Sequence, residues 1–205
     1  MGALLVATTN PGKLREITSI LEGVPIALKT LDDFPGVPVA DETGTSFLEN
    51  ARQKALHYAA HTRMLTLAED SGFEIDALNG EPGIYSARYL TERASYAERF
   101  ADIYRRINES GTRDGHARFV CGLAVARDGQ ISFETVAAVE GMLADAPAGS
   151  NGFGYDPIFF YPPYGKTFGE SSDAEKTAVS HRGQAIRAFR HFLAGGLQQP
   201  EAWPR

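Results

Sequence analysis

The sequence predicts an α/β protein, and three observations lead to that class. Apolar runs typical of buried strands alternate with segments whose apolar residues recur at helical spacing. Hydrophobic residues make up 43% of the 205-residue chain, which is enough for a full core. The 21 glycines and 11 prolines indicate many turns between the elements. We expect one domain over residues 1–196, followed by a loosely held tail over residues 197–205.

The first third of the chain predicts strand, helix, strand and helix in that order. Residues 3–8 form a short buried strand, and Asn10-Pro11-Gly12 have the chemistry of a turn. A helix follows over residues 13–22, and Gly23 ends it. Residues 26–31 predict a second strand.

A second helix is expected over residues 46–61, after a loop rich in Asp, Pro and Gly. Thr45 or Ser46 caps this helix. Asn50, Lys54 and His57 stand one turn apart on a face other than the apolar one.

The rest of the chain predicts strands first and a long helix last. The segment "MLTLAEDSGFEIDAL" reads as two strands with a break at Ser71-Gly72, and a helix is expected over residues 94–109. Residues 116–143 predict a hairpin that turns at Asp128-Gly129. The final helix covers residues 181–194, and Gly195-Gly196 end it.

Charge and cysteine content narrow the function classes. A formal charge of −6 disfavours binding to a nucleic-acid polymer, because such affinity depends on displacing counterions with Lys and Arg. Cys121 is the only cysteine and lies in the apolar run "FVCGLAVA", so we expect a buried small hydrophobe. The N-terminus shows neither a basic targeting region nor a membrane span, and we expect a cytoplasmic protein without a membrane partner.

The stretch "TTNPGK", Thr8–Lys13, is the first candidate binding motif. It is not a Walker A loop, because Ala7 stands at the first glycine position and Leu14 follows the lysine. Free N–H groups at a helix N-terminus together with a lysine nevertheless attract an anion. The alternative, a plain strand-to-helix turn with a solvated lysine, stays open at this stage.

Two acidic pairs are candidate metal ligands. Asp41 and Glu42 lie in "ADETG", and Glu69 and Asp70 lie in "AEDSG". Carboxylates without nearby His or Cys suit Mg²⁺ rather than zinc. The alternative is that they are solvated loop residues.

Two further segments contain residue types that suit a nucleotide. In "GSNGFGYDP", Phe153 or Tyr155 can stack on a flat base and Asp156 can bind its edge, unless both rings are buried in the core. In "EKTAVSHRGQA", His181 and Arg182 fall in the first turn of a helix, where the dipole disfavours cations. Their placement therefore suggests a negative or hydrogen-bonding ligand.

Taken together, these motifs resemble the inosine/xanthosine triphosphate pyrophosphatase family. The matching stretches are "ATTNPGKLREI", "ETGTSFLENARQKA", "AEDSGFEIDALNGEPGIYSARY", "GFGYDPIFF" and "EKTAVSHRGQA", which span nearly the whole chain in family order. The resemblance implies hydrolysis of ITP, dITP and XTP between the α- and β-phosphates. It also implies Mg²⁺, a homodimer, and an elongated mixed sheet flanked by helices, with a cleft between two lobes.

The resemblance also assigns roles to individual residues. Asp70 matches the family's essential carboxylate, a metal ligand and general base, and Asp41 and Glu42 are the other candidate ligands. Many members have two glutamates where this chain has Asp41-Glu42, so which of the two reaches the metal stays open. The implied substrate contacts are Thr8, Thr9, Asn10, Pro11, Gly12, Lys13, Asn50, Lys54, Ser71, Phe153, Gly154, Tyr155, Asp156, Lys176, His181 and Arg182.

Two other functions remain as alternatives. One is a related pyrophosphatase for modified pyrimidine nucleotides, against which the "FGYD" and "SHR" segments argue. The other is a nucleotide-binding sensor without catalysis, which the retained Asp70 disfavours. The products formed from a panel of triphosphates distinguish all three.

Overall fold

The fold is that of a computed structural model, which describes residues 2–112 and 114–198. Among them it shows seven strands, five α-helices and several short 3-10 turns. The strands are β1 (Ala3–Val6), β2 (Ala27–Thr30), β3 (Leu65–Ile75), β4 (His116–Arg127), β5 (Gln130–Leu143), β6 (Phe159–Tyr161) and β7 (Lys166–Thr167). The helices are α1 (Pro11–Leu21), α2 (Phe47–Thr62), α3 (Tyr96–Ser110), α4 (Asp173–Val179) and α5 (His181–Gln198).

All seven strands belong to one mixed sheet, in the order β2-β1-β3-β4-β5-β6-β7. Strand β1 pairs in parallel with both β2 and β3, whereas β6 pairs antiparallel with both β5 and β7. The predicted α/β class with a mixed sheet is therefore confirmed.

The chain divides into two compact units, each built from separate stretches of sequence. The first unit comprises the chain up to Asp70, Cys121–Ala137, and the chain from Arg182 onward. The second comprises Ser71–Val120 and Ala138–His181. Strands β3, β4 and β5 thus contribute residues to both units.

The first unit has two hydrophobic clusters that fix its helices. In one, Ile17 of α1 and Phe189 of α5 pack with Leu4 and Leu67 of the sheet. In the other, the alanines of α2 pack against Ala124 and its neighbours. Gly122 allows the start of α2 to lie close to β4, because a Cβ there would meet Leu48 N at 2.5 Å.

The second unit is organised around aromatic side chains. Phe73, Phe119, Phe159 and Phe168 are all buried in one cluster with Tyr155. Their ring centroids lie 4.8–6.1 Å apart for the closest pairs, a range that favours edge-to-face and offset packing. This cluster supports the glycine-rich loop of residues 147–155.

Several sequence-based boundaries are corrected by the structure. Helix α1 begins at Pro11 because Asn10 serves as its N-cap, so the expected turn is the first turn of the helix. Strand β3 runs through Ser71-Gly72 without a break, although the boundary between the two units falls at this point. Helix α4 was not predicted, and α5 continues past Gly195-Gly196 to Gln198.

Two further expectations concern the tail and the membrane. The predicted tail lies outside the described residues from position 199 onward. Over residues 2–112 and 114–198, no helix has the length and apolar character that crossing a bilayer requires.

Candidate functional site

The "TTNPGK" stretch forms the capped start of helix α1. The side-chain oxygen of Asn10 accepts hydrogen bonds from the backbone N–H groups of Gly12 and Lys13, at 2.9 and 3.2 Å. The N–H of Asn10 in turn donates to Thr8 Oγ1 at 3.2 Å, while Thr9 is exposed. The expectation that these helix N–H groups are free for an anion is therefore wrong in this conformation. The Lys13 side chain is the part of the motif that still suits an anion.

Lys13 belongs to a buried charge network in the first unit. Its ammonium lies 2.8 Å from Glu69 Oε1, and the guanidinium of Arg182 lies 3.6 Å from Glu69 Oε2. Arg182 also donates to Glu16 at 2.5 Å. The Glu69 side chain is fully buried, so it holds two cations where water cannot screen them.

The electrostatics of Glu69 follow from this arrangement. Burial alone would raise the pKa of Glu69, but the charges of Lys13, Arg182 and Lys54 outweigh burial and lower that pKa well below its usual range. Cys121 is buried and free, as predicted, and its thiol lies 3.6 Å from Glu69 Oε2. Burial raises the pKa of Cys121, so the thiol stays protonated and is not a nucleophile.

A second group of charges surrounds Asp70, at the last position of the first unit. Lys54 Nζ lies 2.8 Å from Glu42 Oε1 and 3.5 Å from Asp70 Oδ1. Asn50 is buried in α2, and its amide donates to Asp70 Oδ2 at 2.9 Å. Asn50 and Lys54 are four residues apart on one helix face, so α2 positions both against the end of the apolar stretch of β3. The structure thus brings together four of the predicted site residues: Glu42, Asn50, Lys54 and Asp70.

The pKa of Asp70 is raised above its ordinary value. Burial is the main cause, and the nearby carboxylate of Glu42 adds to it. Lys54, Lys13 and the Asn50 hydrogen bond oppose the shift without cancelling it. A carboxylate with a raised pKa is a better proton acceptor than an ordinary aspartate, which suits a general base.

The structure distinguishes between the two other candidate metal ligands. Asp41 is exposed, whereas Glu42 is partly buried and shares the ammonium of Lys54 with Asp70. Within the described part of the chain, no three His, Cys, Asp or Glu side chains form a group that alone could hold a metal ion. Glu42 and Asp70 supply hard oxygen donors, the type that binds Mg²⁺ together with substrate phosphates and water. The donor set fits a shared magnesium ion and favours Glu42 over Asp41.

In the second unit, the glycine-rich loop presents Phe153. The Phe153 ring is partly exposed, and Lys176 Nζ of α4 lies 4.5 Å from its centroid, a cation–π contact. Asp156 accepts from Lys176 at 2.6 Å and from the Phe153 N–H at 2.7 Å. Gly152 has a φ of +71°, and a Cβ there would collide with the Asp156 carboxylate. The Asp156 carboxylate therefore stabilises the loop through its hydrogen bonds to Phe153 and Lys176 and is not directed at a ligand.

Tyr155 and His181 lie in the aromatic core of the second unit. The Tyr155 ring stacks on Phe73 at 5.3 Å, and its hydroxyl donates to the Ser86 carbonyl at 2.8 Å. The His181 ring stacks on Phe119 at 4.9 Å and is 3% exposed. The alternative that the loop aromatics are buried in the core is thus confirmed for Tyr155, while Phe153 stays accessible.

The sequence motifs do not predict two members of the charge network in this role. They offer Glu69 only as a candidate metal ligand, and they do not single out Glu16. The helical spacing between Lys13 and Glu16 places them on one face of α1, which was a usable signal. The partners of Arg182 had no such signal, because 166 positions separate it from Glu16. Arg182 is 2% exposed, and Glu16 and Glu69 both lie within ion-pair distance of its guanidinium.

A mixed sheet that carries a buried aspartate with a raised pKa, beside a lysine and a second carboxylate, defines a candidate active site of an α/β protein. The chain belongs to the Ham1 family, which it matches over residues 4–192. This confirms the family resemblance inferred from the motifs.

Named relatives and a solved structure agree with this assignment. The dITP/XTP pyrophosphatase of Exiguobacterium sp. is 43% identical over 184 residues, covering 90% of this chain and 93% of that protein. The dITP/XTP pyrophosphatase of Geobacter sulfurreducens is 42% identical over 193 residues, covering 94% and 97%. A HAM1 protein from Coxiella burnetii superposes with a TM-score of 0.88 at 37% identity, covering 95% of this chain and all of that one.

Proposed function

We propose that this protein hydrolyses nucleoside triphosphates with non-standard purine bases, ITP, dITP and XTP, between the α- and β-phosphates. The products are the nucleoside monophosphate and pyrophosphate. The names of the two bacterial relatives support the substrate class. The observation that carries the proposal is Asp70, a buried carboxylate held by Asn50 and flanked by Lys54 and Glu42.

The proposal includes a magnesium ion held by Glu42 and Asp70. When bound, Mg²⁺ neutralises phosphate charge and makes a coordinated water more acidic. The two carboxylates would orient that ion, and Asn50 fixes the Asp70 carboxylate through one oxygen. Asp41 is exposed and plays no part in this assignment.

Asp70 is the proposed base for the attacking water. The raised pKa allows it to accept a proton from that water at neutral pH, provided that the two lie within hydrogen-bond reach. Lys13 and Lys54 offset the charge that develops on the departing pyrophosphate, a contribution that is largest in the transition state. The ammonium of Lys13 has three N–H donors, so it can contact a phosphate while it stays paired with Glu69.

Base selection is proposed to depend on the loop of residues 147–155. Phe153 is partly exposed and suited to stacking on a purine, with Lys176 on its ring. Hypoxanthine and xanthine carry a 6-oxo acceptor, whereas adenine carries a 6-amino donor. Arg182 is 2% exposed and its guanidinium lies against Glu16 and Glu69, so a backbone N–H of the loop is the proposed reader of that edge. Hydrogen-bonded sites of this kind reject a mismatched analogue by ~10⁴.

The arrangement of the whole molecule is also part of the proposal. We propose that the two units work as the single domain expected over residues 1–196. We further propose a cytoplasmic homodimer that acts on free nucleotides rather than on nucleic acid or membranes. The acidic net charge of −6 supports the exclusion of a nucleic-acid polymer.

A product assay tests the reaction. The protein is incubated with Mg²⁺ and a panel of ITP, dITP, XTP, ATP, GTP and modified pyrimidine triphosphates, and pyrophosphate and orthophosphate are quantified separately. In H₂¹⁸O, attack at the α-phosphorus places the label in the monophosphate. We expect pyrophosphate from the three non-standard purine substrates and label in the monophosphate only. Orthophosphate as the first product, or label in pyrophosphate, would contradict α–β cleavage by attack at the α-phosphorus, and no hydrolysis would favour a binding sensor.

Asp70→Asn tests the assigned base, with Asp41→Asn as its matched control. Both variants remove one carboxylate charge, but Asp70 is buried beside Lys54 and Asp41 is exposed. Asp70→Asn should abolish turnover and Asp41→Asn should retain most of it. Near-normal pyrophosphate release from Asp70→Asn would remove Asp70 from its role.

A further inference from the structure

The ammonium group of Lys54 lies where two carboxylates converge. Its Nζ is 2.8 Å from Glu42 Oε1 and 3.5 Å from Asp70 Oδ1. The Lys54 side chain is 12% exposed and that of Asp70 10%, so the contact is largely shielded from water. These are the two carboxylates that fit a shared magnesium ion.

A cation is needed at this point whether or not a metal ion is present. Glu42 and Asp70 approach the same ammonium, at 2.8 and 3.5 Å, so their two negative charges lie near each other and repel. The Asp70 side chain is 10% exposed and that of Glu42 30%, so the buried Asp70 in particular is favoured in the charged form by a nearby counter-ion. In this structure, the lysine supplies that charge.

Position and flexibility both allow the lysine to leave. The Lys54 ammonium lies within 3.5 Å of one oxygen of each carboxylate, so it stands between the two groups that would hold the ion. Lysine carries its charge on a flexible four-carbon stem, so the head can move while the helix stays in place. Lys13 differs, because its partner Glu69 is fully buried and also held by Arg182.

We propose that Lys54 occupies the metal position in the nucleotide-free protein and that the ion enters as the lysine moves from Glu42 and Asp70 to a phosphate. This inference deepens the proposed function and rests on its assignment of Glu42 and Asp70 as metal ligands. It makes metal and triphosphate binding mutually dependent, because the triphosphate offers the displaced ammonium a new anionic partner. The nucleotide-free protein then binds divalent ions weakly and does not keep its carboxylates metallated between turnovers.

Binding of Mn²⁺ to the full, nucleotide-free chain tests the exchange without any turnover. The signal of free Mn²⁺ in electron paramagnetic resonance gives the bound fraction directly. Lys54→Met should bind Mn²⁺ at least about tenfold more tightly than the unaltered protein. The reason is that the Lys54 ammonium repels the divalent ion, and at ~4 Å this repulsion changes the affinity by more than tenfold even when it is screened as strongly as in water. Adding Glu42→Gln to Lys54→Met should reverse the gain.

Lys29→Met is the matched control, since it removes the same charge from the same unit. Lys29 pairs with Asp33 at 3.1 Å on the surface, so its effect on Mn²⁺ affinity should stay below about threefold. Equal gains from the two variants would overturn the exchange in favour of a general charge effect, and no gain from Lys54→Met would overturn it outright. Lys54→Gln repeats the measurement if Lys54→Met does not fold, and circular dichroism reports folding in each case.

The outcome is distinguishable from failure of the proposed function. If the protein hydrolyses no triphosphate but Lys54→Met gains Mn²⁺ affinity, the exchange stands and the reaction assignment fails. If pyrophosphate is released from dITP but Lys54→Met gains nothing, the reaction assignment stands and the exchange fails.

Discussion

The buried carboxylate of Glu69 gives a sharp test of what holds the first unit together. Glu69→Gln keeps the side-chain shape and removes the charge that Lys13 approaches at 2.8 Å and Arg182 at 3.6 Å. Breaking a buried ion pair from one side costs about 3–5 kcal/mol. In the Glu69→Gln variant, Arg182 still pairs with Glu16, and the Lys13 side chain has some access to water. We therefore place the loss in the free energy of unfolding at the lower end of that range, about 3 kcal/mol. For a chain of this length, that lowers Tm by about 6–12 °C.

The pH dependence of this loss follows from the lowered pKa of Glu69. A group whose pKa is lower in the folded than in the unfolded protein contributes stability above its unfolded pKa. Its contribution decreases as the pH falls through the folded pKa. The difference between Glu69→Gln and the unaltered protein should therefore be constant from pH 7 to about pH 5 and shrink below about pH 4.3.

Urea unfolding followed by circular dichroism measures this difference, and Glu134→Gln is the matched control. Glu134 pairs with Arg52 at 2.6 Å, but both side chains are more than one third exposed. A surface pair of this kind contributes about 0.5 kcal/mol. A loss for Glu69→Gln no larger than that for Glu134→Gln would refute the claim that Glu69 is the anionic centre of a buried network.

Three further predictions concern the reaction, the base loop and the backbone. First, kcat/KM for dITP should fall with decreasing pH through the raised pKa of Asp70, because kcat/KM reports the free protein; pH–rate profiles at substrate concentrations well below KM check this. Second, Lys176→Met should raise KM for dITP and lower stability, because it leaves Asp156 buried without its 2.6 Å partner; steady-state kinetics and urea unfolding measure both effects. Third, Gly149→Ala should destabilise the protein by more than about 2 kcal/mol, since φ is +77° there and the added Cβ would collide with the Gly169 carbonyl. Calorimetry measures the loss, and Gly129→Ala, at positive φ but with no atom within 4 Å of the added Cβ, separates the effect of the collision from that of the backbone strain.

The fold class was predictable because the apolar periodicities are strong. The hairpin turn at Asp128-Gly129 is confirmed, with both residues at positive φ, as a two-residue turn between twisted strands requires. The break expected at Ser71-Gly72 was wrong, because β3 continues through these residues as one strand of the sheet. Local propensity does not include the tertiary pairing that keeps them in the strand. Gly195-Gly196 likewise did not end α5, since glycine weakens a helix by only about 1 kcal/mol.

The sequence predicted which residues belong to the candidate site better than it predicted which of them pair with one another. Motif identity pointed to Lys13, Lys54 and Asp70, and the structure places Lys54 directly against Asp70. The motif could not show that the Asn10 side chain accepts hydrogen bonds from the N–H groups at the start of α1, because a helix cap and an anion site use the same donors. Nor could it show that Arg182 pairs with Glu16, a contact made only by the folded chain.

Capture of dITP and Mg²⁺ by Asp70→Asn, followed by a crystal structure of the complex, tests the central claim most directly. We predict one bound nucleotide whose phosphates contact Lys13 and Lys54, with Lys54 no longer paired with Glu42. A nucleotide whose phosphates contact neither lysine would contradict the account.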